Sequence, residues 1–190
     1  MAEIVLIRHG QTEWSANRRH TSYTDLELTP EGEAQARRAG QRLGGRTFAA
    51  VLSSPRRRAR RTAELAGLAV TEVVDDLAEW NYGEYEGLTT KQIRVDRPDW
   101  SLWADGCPGG EAPEQVGSRL DRVLARAREL VADGDVALIG HGHSLRVAGA
   151  RWIGLPPSGG GLLKLDTATL SVLGFEHAVE PVLTTWNAPG

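Results

Sequence analysis

The sequence Ile4-Val5-Leu6-Ile7-Arg8-His9-Gly10-Gln11-Thr12-Glu13 decides the fold expected of this chain. Its first four residues form a short apolar run, typical of a buried strand, and a glycine follows soon after. Arg8 and His9 therefore lie where a strand ends and a loop begins, and ligands bind at that edge of an open α/β sheet. An arginine beside an imidazole suits an anionic substrate, above all a phosphate. A solvated loop with a chance Arg-His pair is the alternative.

Apolar runs alternate with helical segments along the rest of the chain. The pattern predicts buried strands at 49–53, 70–74 and 135–139, helices at 29–43, 56–66, 89–95 and 113–131, a further helix ending near 153, and edge strands at 170–175 and 181–186. Residues 14–27 and 100–111 are predicted as loops. This alternation indicates an α/β fold, a three-layer α/β/α sandwich with a mainly parallel central sheet. We expect one domain spanning residues 1–190.

Composition limits the classes of partner and compartment. The formal net charge is -3, so any anion site must be local. The single Cys107 excludes an internal disulfide and a cysteine-rich metal site, and it fits a reducing cytoplasm. Neither a signal peptide nor an apolar run approaching the ~18 residues of a membrane span is apparent, so we expect a cytoplasmic protein without membrane contact.

Three junctions between a strand and the following loop carry the same kind of chemistry. Arg8 and His9 follow the first strand, an arginine-rich helix at 56–61 follows the second, and His141 and His143 follow the strand at 135–139. Because parallel strands end at one edge of a sheet, these groups can converge there. Two histidines with two or more arginines would form a cationic cup for a phosphoryl group. Glu79, in the loop after the third strand, is the candidate proton donor.

An ordered set of motifs resembles the histidine phosphatase superfamily, which includes the cofactor-dependent phosphoglycerate mutases. The motifs cover nearly the whole chain, and two of them, at 79–87 and 141–146, are most similar to phosphatase members: a bacterial acid phosphatase and a eukaryotic sedoheptulose bisphosphatase. The matching stretches are Leu6-Ile7-Arg8-His9-Gly10-Gln11-Thr12-Glu13-Trp14, Asp25-Leu26-Glu27-Leu28-Thr29, Ser53-Ser54-Pro55-Arg56-Arg57-Arg58-Ala59, Glu79 with Tyr82-Gly83 and Glu86-Gly87, Pro108-Gly109-Gly110-Glu111, and Gly140-His141-Gly142.

The resemblance implies a role for each catalytic candidate. His9 is the nucleophile that forms a transient phosphohistidine, Arg8 and Arg58 clamp the phosphoryl oxygens, and His141 stabilises the developing charge. Glu79 protonates the leaving alkoxide and then deprotonates the attacking water. Such an enzyme hydrolyses small phosphorylated metabolites, here sugar phosphates or bisphosphates. We expect neither a metal nor another cofactor.

Physical chemistry adds two expectations to these roles. His9 must present a neutral ring nitrogen to phosphorus, so its other nitrogen should donate to a fixed acceptor such as a backbone carbonyl. Glu79 should act as an acid mainly after the anionic substrate binds, which favours turnover at mildly acidic pH.

Several residues are expected around the substrate without firm roles. Ser15, Ser22 and His143 depart from patterns common in the family, in which Asn follows the tryptophan of the first motif and mutases typically carry Asn in place of His143. The short segment 91–103 leaves little room for the insertion that holds the mutase substrate, so hydrolysis is favoured over mutase activity. The candidate substrate-binding residues are Gly142, Thr21, Ser22, Asn17, Ser15, His143 and His20.

Other readings of the same residues remain open. The arginine run at 55–61 suggests a nucleic-acid patch, which the acidic net charge and the lack of a recognised binding module disfavour. His141 and His143 suggest a metal pair, but no further ligand has a supporting spacing. A phosphoglycerate mutase and a catalytically inert phospho-ligand sensor are the alternative functions. The C-terminal strands offer an edge for a homodimer.

Overall fold

A six-stranded mixed sheet forms the centre of the computed structural model, which describes residues 2–190. The strand order is β3-β2-β4-β1-β5-β6; the first four are parallel, whereas β5 is antiparallel to β1 and β6 to β5. The predicted mainly parallel sheet, with the two C-terminal strands at one edge, is confirmed. The strands are β1 (Ile4–Arg8), β2 (Ala50–Ser53), β3 (Glu72–Val73), β4 (Val136–Gly140), β5 (Leu170–Glu176) and β6 (Glu180–Ala188).

Seven α-helices connect or flank these strands in the described part of the chain. They are α1 (Glu13–Ala16), α2 (Pro30–Arg42), α3 (Arg57–Leu65), α4 (Thr90–Asp96), α5 (Leu102–Asp105), α6 (Pro113–Leu130) and α7 (Gly142–Trp152). The prediction of loops at 14–27 and 100–111 is wrong where α1 and α5 form. Each has only four residues, too few to show an apolar period. A capping box between Thr12 and Ser15 fixes α1 instead.

The two faces of the sheet pack against different helices. Val5 and Ile7 of β1 point to the face that also buries Ala39 of α2 and Ala59 of α3. Ile4 and Leu6, one residue out of phase, point to the other face, whose core cluster includes side chains of α6 and α7. Since successive strand residues face opposite sides, this alternation buries both faces and confirms the three-layer α/β/α architecture.

The strand register brings the predicted junctions together at the carboxyl edge of the sheet. Arg8 at the end of β1 pairs with Gly140 at the end of β4, and the His9 N–H donates to the Gly140 carbonyl over 3.0 Å. On the other side of β4, the Ser54 N–H donates to the Ile139 carbonyl over 2.9 Å. The residues that follow β1, β4 and β2 therefore surround one point. Among residues 2–190, no helix is long and apolar enough to cross a bilayer.

Candidate active site

A cavity of about 510 Å³ opens at the carboxyl edge of the sheet. Of the residues predicted from the sequence, those on its wall are Arg8, His9, Ser15, His20, Thr21, Glu79, Gly142 and His143. Arg58 and His141 are fully buried, and the His141 ring lies 5.1 Å from the ring of His9. The structure thus brings the catalytic candidates into one region.

Asn17 and Ser22 are not brought to the cavity wall. Asn17 is exposed at the C-terminal end of α1. Ser22 is buried, its N–H donates to the Glu86 carboxylate, and its carbonyl accepts from Arg58 over 2.9 Å. Ser22 therefore shapes the loop that holds Arg58. Ser15 reaches the cavity wall, but its hydroxyl is bonded to the Thr12 backbone in the cap of α1.

His9 has the tautomer that a nucleophile requires. Its Nδ1 donates to the Gly10 carbonyl over 2.7 Å, as expected from the sequence, and a carbonyl can only accept. Nε2 is left unprotonated at the cavity. Burial and the charges of Arg58 and Arg8 hold the pKa of His9 well below its ordinary value, so the ring stays neutral.

Three buried nitrogen atoms around His9 have no hydrogen-bond partner within residues 2–190. They are Nε of Arg8, Nε of Arg58 and Nδ1 of His141. The rest of the Arg58 guanidinium is held by the carbonyls of Thr21, Ser22 and Thr24 over 2.9–3.1 Å. Buried donors normally have partners, and a phosphoryl group carries the oxygens that would satisfy them.

His141 is oriented by a neighbouring hydroxyl. Its Nε2 lies 2.7 Å from Ser54 Oγ, which leaves Nδ1 without a partner in the described chain. Burial, Arg58 and His9 lower the pKa of His141 well below its ordinary value. His141 therefore acts as a neutral group whose free nitrogen can donate to an oxyanion.

Glu79 is fixed against the N-terminus of α7. Its Oε1 accepts from the N–H groups of Trp80 (2.9 Å) and Ser144 (2.8 Å), and its Oε2 accepts from His143 N–H (3.0 Å). The positive end of a helix favours a carboxylate at this position. A carboxylate offers about four acceptor sites, so the remaining one is on Oε2. Oε2 is thus the atom that can carry a proton.

An ion pair between the buried Arg119 and the half-buried Glu111 holds the Glu79 loop in place. The Arg119 side chain donates to the backbone carbonyls of Asp76 (2.7 Å), Ala78 (2.8 Å) and Glu79 (3.2 Å), and its Nε donates to Glu111 over 2.7 Å. Arg119 was not predicted from the sequence. Its partners lie up to 43 residues away along the chain, and no local pattern marks such a contact.

Four arginines on the cavity wall were also not predicted from the sequence: Arg18, Arg19, Arg94 and Arg146. Glu79 and Asp166 are the acidic residues on the same wall. The excess of positive charge makes the cavity suitable for a substrate with more than one anionic group. Within residues 2–190, no group of three His, Cys, Asp or Glu side chains is arranged to hold a metal ion.

Outside the cavity, two arginines of the run are paired with acids. Arg57 contacts Glu27, and Arg61 contacts both Glu33 and Glu64 over 2.9–3.0 Å. These pairs reduce the local positive charge that a nucleic-acid backbone would require.

Comparison with known proteins decides the family. Residues 4–189 match the histidine phosphatase superfamily (branch 1). The chain belongs to the histidine phosphatase superfamily. This phosphatase is 48% identical over 178 residues to an acid phosphatase of Mycobacterium tuberculosis, with 93% of this chain and 88% of that protein covered. It is 39% identical to sedoheptulose 1,7-bisphosphatase of Saccharomyces cerevisiae, with 80% and 67% covered.

Solved structures agree with this assignment. The phosphatase superposes with a TM-score of 0.95 and 45% identity on the product of an open reading frame of Mycobacterium tuberculosis, covering 99% of this chain and 98% of the other. A mycobacterial glucosyl-3-phosphoglycerate phosphatase in complex with VO3 gives a TM-score of 0.85 and 32% identity, covering 99% and 100%. Relatives named phosphatases thus share both the sequence and the fold.

Proposed function

We propose that this histidine phosphatase hydrolyses phosphomonoesters of small metabolites through a phosphohistidine on His9. The observation that carries the proposal is the neutral His9 Nε2 at the cavity, next to three buried nitrogens of Arg8, Arg58 and His141 that lack partners in the described chain. A nucleophile without charge, surrounded by donors for oxyanions, fits phosphoryl transfer.

In the first step, the lone pair of His9 Nε2 attacks phosphorus and the bond from phosphorus to the ester oxygen breaks. Arg8, Arg58 and His141 donate to the phosphoryl oxygens as charge moves among them. The proton on Glu79 Oε2 passes to the departing oxygen, so that a neutral alcohol leaves. The Gly10 carbonyl, which accepts from Nδ1, stabilises the positive charge that the imidazole gains.

In the second step, water hydrolyses the phosphohistidine. Glu79, now a carboxylate, takes a proton from water at Oε2 while the water oxygen bonds to phosphorus. The bond from phosphorus to Nε2 breaks, and inorganic phosphate leaves. His9 returns to its neutral form, and Glu79 regains the proton that it lost in the first step.

Sugar phosphates and bisphosphates are the substrates that the cavity supports best. Its volume of about 510 Å³ lies within the range of small-molecule sites. Arg18, Arg94 and Arg146 lie on its wall, and Arg94 and Arg146 keep guanidinium N–H groups that their bonds to backbone carbonyls do not use, so these side chains can serve a second anionic group. Relatives named for a sugar bisphosphate and for a glucosyl phosphoglycerate belong to the same substrate class.

Hydrolysis is proposed over mutase activity. A probable phosphoglycerate mutase of Photorhabdus laumondii is 30% identical over 94% of this chain, so the mutase alternative is supported by this relative. The segment between Lys91 and Trp103 contains most of α4, a short connection and the start of α5, which leaves little space for an inserted carboxylate-binding loop. Interconversion of phosphoglycerates that needs bisphosphoglycerate priming would favour the mutase.

A screen of phosphorylated metabolites, including sedoheptulose and fructose bisphosphates, tests the proposal by release of inorganic phosphate. His9→Ala should abolish release, whereas His177→Ala, which changes an exposed histidine on the turn between β5 and β6, should leave it intact. Full activity in His9→Ala, or retention of ligands without turnover in the unmodified protein, would contradict the proposal.

We also propose a cytoplasmic location and a homodimer that pairs through the edge strand β6 (Glu180–Ala188). The location is supported by the single cysteine, Cys107, since a chain with one cysteine forms no internal disulfide and needs no oxidising compartment. The dimer is supported by the unpaired side of β6. No nucleic-acid partner is proposed, since Arg57 and Arg61 of α3 are paired with acids.

A further inference from the structure

Two further histidines lie on the cavity wall. The rings of His20 and His143 are nearly parallel, with centroids 6.0 Å apart and an interplanar angle of 21°. Tyr82, also on the wall, contacts both rings at centroid distances of 4.7 and 5.8 Å. None of these three residues takes part in the two chemical steps described above.

The hydrogen bonds of His20 fix its tautomer. Nδ1 lies 2.7 Å from the Leu88 carbonyl, which can only accept, so the ring proton is on Nδ1. Nε2 then carries a lone pair. That nitrogen has no partner in the described chain and is not buried, so it is open to the cavity. His20 therefore presents a hydrogen-bond acceptor to the substrate.

The hydrogen bonds of His143 fix the opposite tautomer. Tyr82 is 2% exposed, and its hydroxyl lies 2.5 Å from His143 Nδ1. The phenol proton has no other acceptor within residues 2–190, so it is donated to Nδ1 and the ring proton must be on Nε2. Nε2 of His143 is likewise neither bonded nor buried in the part of the chain described. His143 therefore presents a donor.

Both rings stay neutral. Burial lowers the pKa of His20, against the opposing effects of the Leu88 carbonyl and the carboxylates of Glu79 and Glu86. Burial, Arg146 and His20 lower the pKa of His143 well below its ordinary value. Neutral rings are poor partners for a phosphate compared with the arginines nearby. A hydroxyl group, which both donates and accepts, is complementary to such a donor and acceptor pair.

The pair lies on the side of the leaving alcohol. The backbone N–H of His143 donates to Glu79 Oε2. In the proposed mechanism, Oε2 is the atom from which the leaving oxygen takes its proton. The carbon atoms attached to that oxygen therefore lie next to Glu79, on the cavity wall that also carries His143 and His20. Groups at this place are nearer to the expected position of the alcohol than the arginines and His141, which face the phosphoryl group in the proposed mechanism.

We propose that His20 and His143 bind hydroxyl groups of the leaving alcohol and so select polyol phosphates, with Tyr82 as the residue that positions the His143 proton. One hydroxyl that bridges both rings, or two adjacent hydroxyls with one on each, satisfies the arrangement. The inference rests on the proposed hydrolysis, and it adds the part of the substrate that the two rings bind, which is its hydroxyl groups.

The test compares glycerol 3-phosphate with propyl phosphate, which has the same chain without hydroxyls. We expect kcat/KM for glycerol 3-phosphate to exceed that for propyl phosphate by about tenfold or more, the effect of two hydrogen bonds. The ratio should fall at least severalfold towards one in His143→Leu and in His20→Leu, and less in His143→Gln, whose amide can still donate. General damage to the site lowers both values and leaves the ratio unchanged.

Tyr82→Phe keeps the ring and removes only the hydroxyl, so it should lower the ratio partially. His177→Ala is the matched control, because it removes an exposed histidine that does not line the cavity and should leave the ratio as it is. A ratio near one in the unmodified enzyme, or an unchanged ratio in the two leucine variants, would overturn the inference while the proposed hydrolysis stands. Loss of all phosphate release, from these esters and from the metabolite screen, would instead contradict the proposed function.

Nitrogen NMR of histidine-labelled protein tests the tautomers without turnover. At pH 7 we expect the proton on Nδ1 of His20 and on Nε2 of His143, with a mixture of tautomers for His143 in Tyr82→Phe. Signals can be assigned by their loss in His20→Gln and His143→Gln. A proton on Nδ1 of His143, or a positively charged ring at either position, would overturn the inference even if neither small ester is hydrolysed.

Discussion

In the proposed mechanism, the side chain of His9 is prepared for attack by groups that come from two separate parts of the chain. The carbonyl of Gly10 selects the reactive nitrogen, and Arg8 and Arg58 keep the ring neutral while they provide charge for the phosphoryl oxygens. The same two arginines would repel a protonated imidazole. One set of contacts therefore keeps the His9 ring neutral and also binds the substrate.

Glu79→Gln tests the role of a single carboxyl oxygen. The variant lacks the proton for the leaving group and the base for water, so we expect kcat for an alkyl phosphate to fall by about 10²–10⁴. Nitrophenolate leaves without protonation, so p-nitrophenyl phosphate should still phosphorylate His9. Rapid-mixing absorbance should then show a burst of about one nitrophenolate per active site, followed by slow turnover. Equal loss with both substrates and no burst would argue against Oε2 as the proton carrier.

Helix α2 packs directly on the loop that contains His9. A Cβ placed on Gly32 would lie 2.0 Å from the carbonyl oxygen of Gln11, and one placed on Gly10 would lie 2.3 Å from the carbonyl oxygen of Gly32. Both neighbours are backbone atoms, which cannot rotate away. The absence of side chains at these two positions lets the helix approach the loop that contains His9.

Gly32→Ala should therefore reverse the usual effect of alanine in a helix. Alanine normally stabilises by about 0.4–1 kcal/mol at such a position, but the clash should lower the free energy of unfolding by about 2 kcal/mol and reduce kcat through a displaced His9. Urea unfolding and steady-state kinetics measure both. Gln41→Ala, at an exposed position of α2, should change stability by no more than about 0.5 kcal/mol. A stabilised, fully active Gly32→Ala would refute the packing argument.

The contact between α6 and the Glu79 loop depends on Arg119 and Glu111. Arg119→Met leaves three backbone carbonyls and a carboxylate without their donor, so we expect a loss of about 3 kcal/mol in the free energy of unfolding. Adding Glu111→Leu removes the uncompensated charge, and the double variant should lose less than the sum of the two single variants. Strict additivity in urea unfolding would show that the pair does not act as a unit.

Protonation links the active site to the stability of the whole molecule. The pKa values of His9, His20, His141 and His143 are all lowered in the folded chain. The unfolded chain therefore binds protons that the folded chain does not as pH falls below about 6.5, the ordinary histidine value. The free energy of unfolding should fall between about pH 7 and pH 5, by up to about 1.4 kcal/mol per pH unit for each histidine.

Urea unfolding at several pH values measures this slope. His143→Gln removes one of the four histidines, so the slope of the unfolding free energy against pH should fall by the contribution of one proton. An unfolding free energy that stays constant from about pH 7 to about pH 5 would mean that these rings titrate alike in both states, and the neutral His9 would lose its support.

Features that a single segment determines could be predicted from the sequence. The apolar runs of β1, β2 and β4 and the cap at Thr29 were recognisable because each is local in the chain. The edge strand β3 is shorter than predicted, 72–73 in place of 70–74, because only one neighbouring strand pairs with it. Arg119 and Arg146 were missed, since their contacts with distant backbone carbonyls leave no periodic signal in the sequence.

Direct detection of the phosphorylated residue tests the central claim. The unmodified enzyme is mixed with a phosphomonoester, quenched with alkali within milliseconds, and its peptides are analysed by mass spectrometry. We predict one phosphoryl group on the peptide containing His9, stable to alkali and labile to acid, with a larger amount in Glu79→Gln and none in His9→Ala. Turnover without this adduct, or a phosphoryl group on another residue, would contradict the account.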